Sequence, residues 1–159
     1  MVELKERTEH HVRIYFERTQ DPEIHALIPQ SAKTVEDAIS LFEKTLLPGA
    51  TSFGRTIYVD GMYAGDIWCY CINHAEEPNA MVSYCLFEKA HWNKGVATEA
   101  LCQFLNEIIN RFSLNTIGAF TYCDNIPSIR VLEKNNFLKM EEFMDGGKLS
   151  GYFQKTCNK

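Results

Sequence analysis

The strongest periodicity in the chain lies in "HWNKGVATEALCQFLNEIIN", His91 to Asn110, and continues to Phe112. Ala97, Ala100, Leu101, Phe104, Leu105, Ile108, Ile109 and Phe112 recur at the i, i+3, i+4 spacing of one continuous buried helix face. Glu99, Gln103, Asn106, Asn110 and Arg111 fall on the other face. A helix patterned this way packs on a sheet. Upstream, "KERTEHHVRIYFERT" sets Val12, Tyr15 and Phe16 at near-helical spacing, and "DPEIHALIP" breaks the pattern with two prolines. A second helix is predicted from Thr34, an N-cap with Asp37 three residues on. Val35, Ala38, Ile39, Phe42 and Leu46 form its apolar stripe, and Pro48-Gly49 stops it.

A β-type pattern then takes over. "TSFGRTIYVDGMYAGDIWCYCI" is two β-rich runs joined by Asp60-Gly61, a dipeptide that tolerates the positive φ of a tight hairpin turn. After the polar break "NHAEEPN", "AMVSYCLFE" reads as a strand that delivers the chain to the glycine turn before the long helix. "LNTIGAFTYC" reads as a strand and "NIPSIRVLEKNN" as a short helix with Pro127 in its first turn. "FLKMEEF" and "KLSGYFQKT" are closing strands separated by Asp145-Gly146-Gly147. The predicted order is α, α, β, β, β, α, β, α, β, β. No repeat, low-complexity tract or linker interrupts it, so a single domain over residues 1–159 is expected.

Composition narrows the classes. A chain of 159 residues, 45% hydrophobic and 23% charged, suits one compact α/β domain. A net charge of -5 and a pI near 5.5 argue against a dedicated nucleic-acid binder and favour an amine-bearing substrate. No apolar run is long enough to span a bilayer, and the start "MVELKERTEHH" is charged, so no membrane partner and a cytoplasmic location are expected. Six cysteines are spread through apolar segments as reduced, mostly buried thiols. Cys69 and Cys71 form a C-x-C that would point to one face of a strand. No second pair stands at ligand spacing, so no metal is expected.

Candidate chemistry centres on the glycine turn. A helix N-terminus carries about half a positive charge and unpaired N–H groups, so small residues there make an anion site from backbone alone. Gly95 and Ala97 supply access, Lys94 a mobile charge and Thr98 a hydroxyl. The plainer alternative is that Gly95 merely turns the chain and Thr98 caps the helix. Nucleotide-triphosphate, dinucleotide, zinc-protease and serine-hydrolase signatures are all absent.

Two segments carry a resemblance. "WNKGVATEAL" is similar to the pyrophosphate-binding turn, Q/R-x-x-G-x-G/A, of the GNAT superfamily of N-acetyltransferases. "CDNIPSIRVLEKNNF" resembles the N-x-x-S-x-x-x-x-E-K-x-G-F segment of its ribosomal-protein N-terminal acetyltransferase branch, RimJ/RimL-like. The likeness runs from about Asp21 to Phe153. It implies a GNAT fold: a three-layer α/β/α sandwich whose mixed, mostly antiparallel sheet splays into a V. It also implies acetyl-CoA as cosubstrate, no metal, and transfer of the acetyl group to a primary amine of a small molecule or protein N-terminus.

By the same resemblance, backbone N–H groups of Lys94, Gly95, Val96, Ala97 and Thr98 hold the pyrophosphate. Leu86 and Phe87 hydrogen-bond the pantetheine arm through their backbone, Asn125 contacts it from the other side, and Ser128 protonates the departing thiolate. Transfer by direct attack asks for a neutral amine, for which Glu88 is the candidate base acting through water, with Tyr84 and Asp66 in reserve. Plainer roles exist for each: a solvated Glu88, a helix-entry cap at Asn125, a local hydrogen bond at Ser128. Trp68 and Tyr70 alternate with Cys69 and Cys71, and one of those faces is a candidate acceptor wall.

The chain departs from the family pattern in three places. "MVELK" is short and charged, so the first strand is either trimmed or missing. Trp92 heads the first motif in place of Gln or Arg, and Asn136 replaces the glycine of the second, which predicts a positive φ at Asn136. The alternative from another class is a catalytically silent acyl-CoA-binding or sensor domain; a third is an unrelated α/β domain with a structural turn. The acceptor and oligomeric state stay open, a homodimer among the options.

Overall fold

The computed structural model describes residues 1–27 and 32–157. The first strand is present as β1 (Val2–Lys5): Val2 and Leu4 turn inward, while Glu3 and Lys5 face solvent. Its two charges are those of a short edge strand, which is why the pattern alone left it in doubt. Thr8 then opens α1 (Glu9–Arg18) through a reciprocal cap with His11, so the helix starts at Glu9 rather than at Lys5, the head of the stretch read as helical. The expected break at Asp21-Pro22 is itself a short helix, α2 (Pro22–His25), because Asp21 Oδ1 accepts from the N–H groups of Glu23 and Ile24. The second proline of that segment, Pro29, lies outside the described residues.

Thr34 caps α3 (Val35–Lys44) by accepting from Asp37 N–H at 3.1 Å, as predicted. The stripe ends sooner than expected. Thr45 Oγ1 donates to the Phe42 carbonyl at 2.6 Å, the backbone tightens into i+3 turns, and Leu46 is left 66% exposed. The hairpin β2 (Phe53–Val59) and β3 (Met62–Asn73) turns at Asp60 and Gly61 with φ of 49° and 82°. β4 (Asn79–Leu86), α4 (Val96–Phe112), β5 (Thr116–Tyr122), α5 (Ile126–Lys134), β6 (Leu138–Asp145) and β7 (Lys148–Thr156) complete the order. Asn136 has φ 69°, so the asparagine does take the left-handed cap.

The strands form one sheet in the order β1-β2-β3-β4-β5-β7-β6, antiparallel throughout except between β4 and β5. That parallel pair is in register only from Asn79–Met81 to Thr116–Gly118. Beyond it β4 continues to Leu86 along β3 and β5 to Tyr122 along β7 without pairing with each other, and the sheet opens as a V.

Period two sorts the side chains between two helical layers. Ile67 and Cys69 face α4, where Ala100, Leu101, Phe104 and Ile108 are fully buried with Ile117 and Phe153. Trp68, between them, faces the opposite layer with Tyr15 of α1, Ile24 of α2 and Phe87. The C-x-C expectation fails: Cys71 takes φ 51° in a bulge between Tyr70 and Asn73 and is exposed, while Cys69 is buried. Cys69, Cys71, Cys85, Cys102 and Cys123 are free thiols, and burial pushes those of Cys69 and Cys85 up to about 12.

Candidate active site

The site begins where β4 stops. A short 3-10 turn, Lys89–His91, leads through Asn93 (φ 61°) to Gly95 (φ 80°), which is the N-cap of α4. Gly95 has no side chain to cap with; its carbonyl accepts from Glu99 N–H at 3.1 Å, and no side chain accepts from the first turn. Thr98 therefore does not cap the helix. The N–H groups at this end remain available to an anion, backed by the aligned dipoles of 17 residues.

A cavity of about 470 Å³ runs from this helix end into the V. Gly95, Val96, Ala97 and Thr98 line it, as do Leu86, Asn125 and Ser128. Lys94 does not; its side chain is exposed to solvent. Arg130 and Lys134, one turn apart on α5, bring positive charge to the same cavity, and their i, i+4 spacing was the sequence signal for them. Asn135 ties the two helices together, its amide donating to the carbonyls of Thr98 (3.2 Å) and Val131 (3.0 Å).

The strand-end pair divides. Leu86 lines the cavity, and its carbonyl accepts from the Trp92 indole N–H at 2.9 Å, so the residue that replaces the family's Gln or Arg closes the end of β4. Phe87 donates its N–H to the Ala64 carbonyl at 3.0 Å and is 2% exposed, against β3 rather than in the cavity.

At the base of the V, Ser128 Oγ lies 2.9 Å from Tyr84 Oη. Asn125 Oδ1 accepts from Ser128 N–H at 3.3 Å, so the asparagine both caps α5 and lines the cavity. Burial holds the Tyr84 phenol above its ordinary range, against the opposing pull of its bond to Ser128. The two hydroxyls thus form a protonated pair. A second cavity, about 420 Å³, extends along β5 toward the β6–β7 turn and shares Tyr84, Asn125 and Ser128 with the first. The pair stands where the two chambers meet.

The carboxylates expected as bases stand apart from both chambers. Glu88 is ion-paired with Arg18 of α1. Asp66 is buried on β3, accepting from Tyr63 Oη at 2.5 Å with Arg7 Nε 3.0 Å away. That contact is close but poorly aligned as a hydrogen bond, and burial raises the carboxyl to about 6 despite Arg7 and Tyr63. Trp68 and Tyr70 both line a third cavity beneath α1 and α3, and Tyr70 also reaches the chamber along β5. Among the described residues no cluster of His, Cys, Asp and Glu could hold a metal ion, and no helix is long and apolar enough to cross a membrane.

A half-parted mixed sheet, with an uncapped helix N-terminus at the mouth of the parting, defines an acetyltransferase fold. The chain belongs to the acetyltransferase (GNAT) domain family, whose model matches residues 2–138. Three solved structures illustrate the likeness. Aminoglycoside acetyltransferase AAC(6')-Ib in complex with coenzyme A superposes with TM-score 0.81 at 17% identity, over 98% of this chain and 95% of that one. Spermidine N-acetyltransferase from Vibrio cholerae, with CoA and spermine, gives 0.84 at 13%, over 98% and 95%. The ribosomal alpha-N-protein acetyltransferase RimL, with coenzyme A, gives 0.81 at 17%, over 98% and 93%. No curated protein sequence matches this chain.

Proposed function

We propose that this protein transfers the acetyl group of acetyl-CoA to a primary amine by direct attack on the thioester. The observation that carries this reading is the Tyr84–Ser128 pair at the junction of two chambers. Backbone N–H groups from Lys94 to Thr98 hold the pyrophosphate at the α4 N-terminus, and Arg130 and Lys134 add charge at the mouth. The pantetheine arm lies in the V beside Leu86 and Asn125, with its sulfur directed toward Ser128.

The amine nitrogen attacks the carbonyl carbon, the C–S bond breaks, and Ser128 gives its proton to the thiolate while Tyr84 re-protonates Ser128. The excess amine proton leaves through the open chamber to water, and water returns a proton to Tyr84, which restores both hydroxyls. We assign Glu88 to fastening α1 at the end of β4 through Arg18, since its carboxylate is engaged there. The resemblance to the RimJ/RimL branch in "NIPSIRVLEKNNF" supports the placing of Ser128.

The test is Ser128→Ala. Turnover is expected to fall about 100-fold, with acetyl-CoA affinity by isothermal titration changed less than about twofold and the fold intact by circular dichroism. Unchanged turnover would remove Ser128 from the mechanism. Saturable acetyl-CoA binding with no acceptor turned over would leave the sensor reading standing instead.

A further inference from the structure

The chamber along β5 has a wall chemistry that selects among amines. Tyr70, Phe120, Tyr122 and Phe143 line it together with the Tyr84–Ser128 pair. Phe120 is 54% exposed, the one phenylalanine among the described residues left so open. It is also built in. Phe143 meets it edge-on with centroids 5.7 Å apart, and Tyr152 packs beneath at 5.4 Å. Tyr152 reaches that position because residue 118 is glycine: a Cβ there would fall 2.7 Å from the Tyr152 ring. Three aromatic residues on three adjacent strands thus form a platform beside the reacting centre.

Charge completes the argument. Among the described residues, Asp145 is the one carboxylate that lines this chamber. Its cross-strand neighbour Lys148 pairs with Asp124 at 3.4 Å instead, so the Asp145 charge is not neutralised from across the turn. A polycation with several ammonium groups needs several carboxylates to replace its lost hydration, and a single charged amine needs one. The larger cavity beneath α1 and α3, about 930 Å³, is lined by Glu6 as well as Arg7, Arg55 and Arg111 and lacks the Tyr84–Ser128 pair, so an amine held there has no proton donor for the departing thiolate.

Building on the acetyltransferase reading above, we propose that the acceptor is a small monoamine carried on an aromatic body, of the arylalkylamine class. Its ring lies on Phe120 and Phe143, Asp145 draws the ammonium into the chamber, and the deprotonated nitrogen attacks at the Tyr84–Ser128 junction. The products are the N-acetyl arylalkylamine and CoA thiol.

The experiment uses the full chain with acetyl-CoA and four acceptors: phenethylamine, spermine, kanamycin and a peptide with a free N-terminus. Acetylated product is read by mass spectrometry, since exposed Cys71 and Cys102 would react with a thiol dye. Phenethylamine is expected to exceed the other three at least tenfold in kcat/KM. Phe120→Ala and Asp145→Asn, both at exposed positions, are expected to raise its KM about tenfold with acetyl-CoA affinity unchanged. Preference for spermine, kanamycin or the peptide overturns this inference and leaves the acetyltransferase reading intact. An unaltered KM in Phe120→Ala also overturns it. Absence of acetyl-CoA binding in a folded protein sinks the underlying reading, and binding with no acceptor turned over overturns the inference in favour of a sensor.

Discussion

Asp66 shows what burial does to one residue. It is 1% exposed, and its carboxyl is raised from 3.8 to about 6, chiefly by loss of hydration. A group raised in the folded state contributes stability that is complete below its unfolded value and is lost as pH rises through the folded one. From pH 4 to pH 7 the protein should therefore lose about 2 kcal/mol through this residue. Asp66→Asn, which cannot ionise, lacks that slope. Urea midpoints for both proteins across this range should show the stability difference moving in the variant's favour as pH rises, and parallel curves would refute the assignment. Asp66 could be read from the sequence as a carboxylate within a strand. Tyr63, three residues away on the same strand, meets it at a register irregularity between β2 and β3, and Arg7 arrives with the passage of the chain into α1, so its altered acidity could not be read.

Among the elements, β4 carries the widest responsibility, since it closes the core on one face and lines the cavity at the α4 N-terminus with its end. Gly65 on β3 sits opposite Leu86, where an added Cβ would fall 2.1 Å from the Cys85 carbonyl and 2.9 Å from Leu86 Cα. Gly65→Ala must push the end of β4 toward the chamber. We expect a loss of about 2 kcal/mol in stability and weaker acetyl-CoA binding in isothermal titration. A variant that binds as tightly as the wild type would show that the end of β4 does not shape the chamber. The elements themselves were largely legible, α4 most of all, because its buried face repeats over four turns and Gly95 marks its start. Short pieces were not. β1 holds four residues and α2 four, too few for a period to declare itself, and the bulge at Cys71 breaks the alternation from which its neighbours were read.

For the molecule as a whole, the cavity at the helix end implies that ligand and fold are coupled. Acetyl-CoA at 100 times its dissociation constant stabilises the folded state by about 2.7 kcal/mol, which for a chain of this length raises Tm by about 5–10 °C. Differential scanning calorimetry checks this, and dephospho-CoA distinguishes the pyrophosphate contacts from those of the ribose phosphate. An unmoved Tm at saturating acetyl-CoA would refute the coupling. The long helix, the Asp60-Gly61 hairpin, the cap at Thr34 and the left-handed Asn136 were settled by the sequence itself, because each depends on torsional and hydrophobic preferences acting within a few residues. Gly95 was marked by its place before the helix, Asn125 and Ser128 by the family resemblance, and the fold brings all three to one cavity. Other features belong to tertiary structure alone: the parting of β4 from β5 after three paired residues, the 2.9 Å approach of Tyr84 to Ser128 across that gap, the diversion of Phe87 to Ala64 and of Glu88 to Arg18, and the platform under Phe120. Those depend on which strand ends adjoin and which side chains the twist of the sheet brings together, and local preference carries no record of partners 44 residues away.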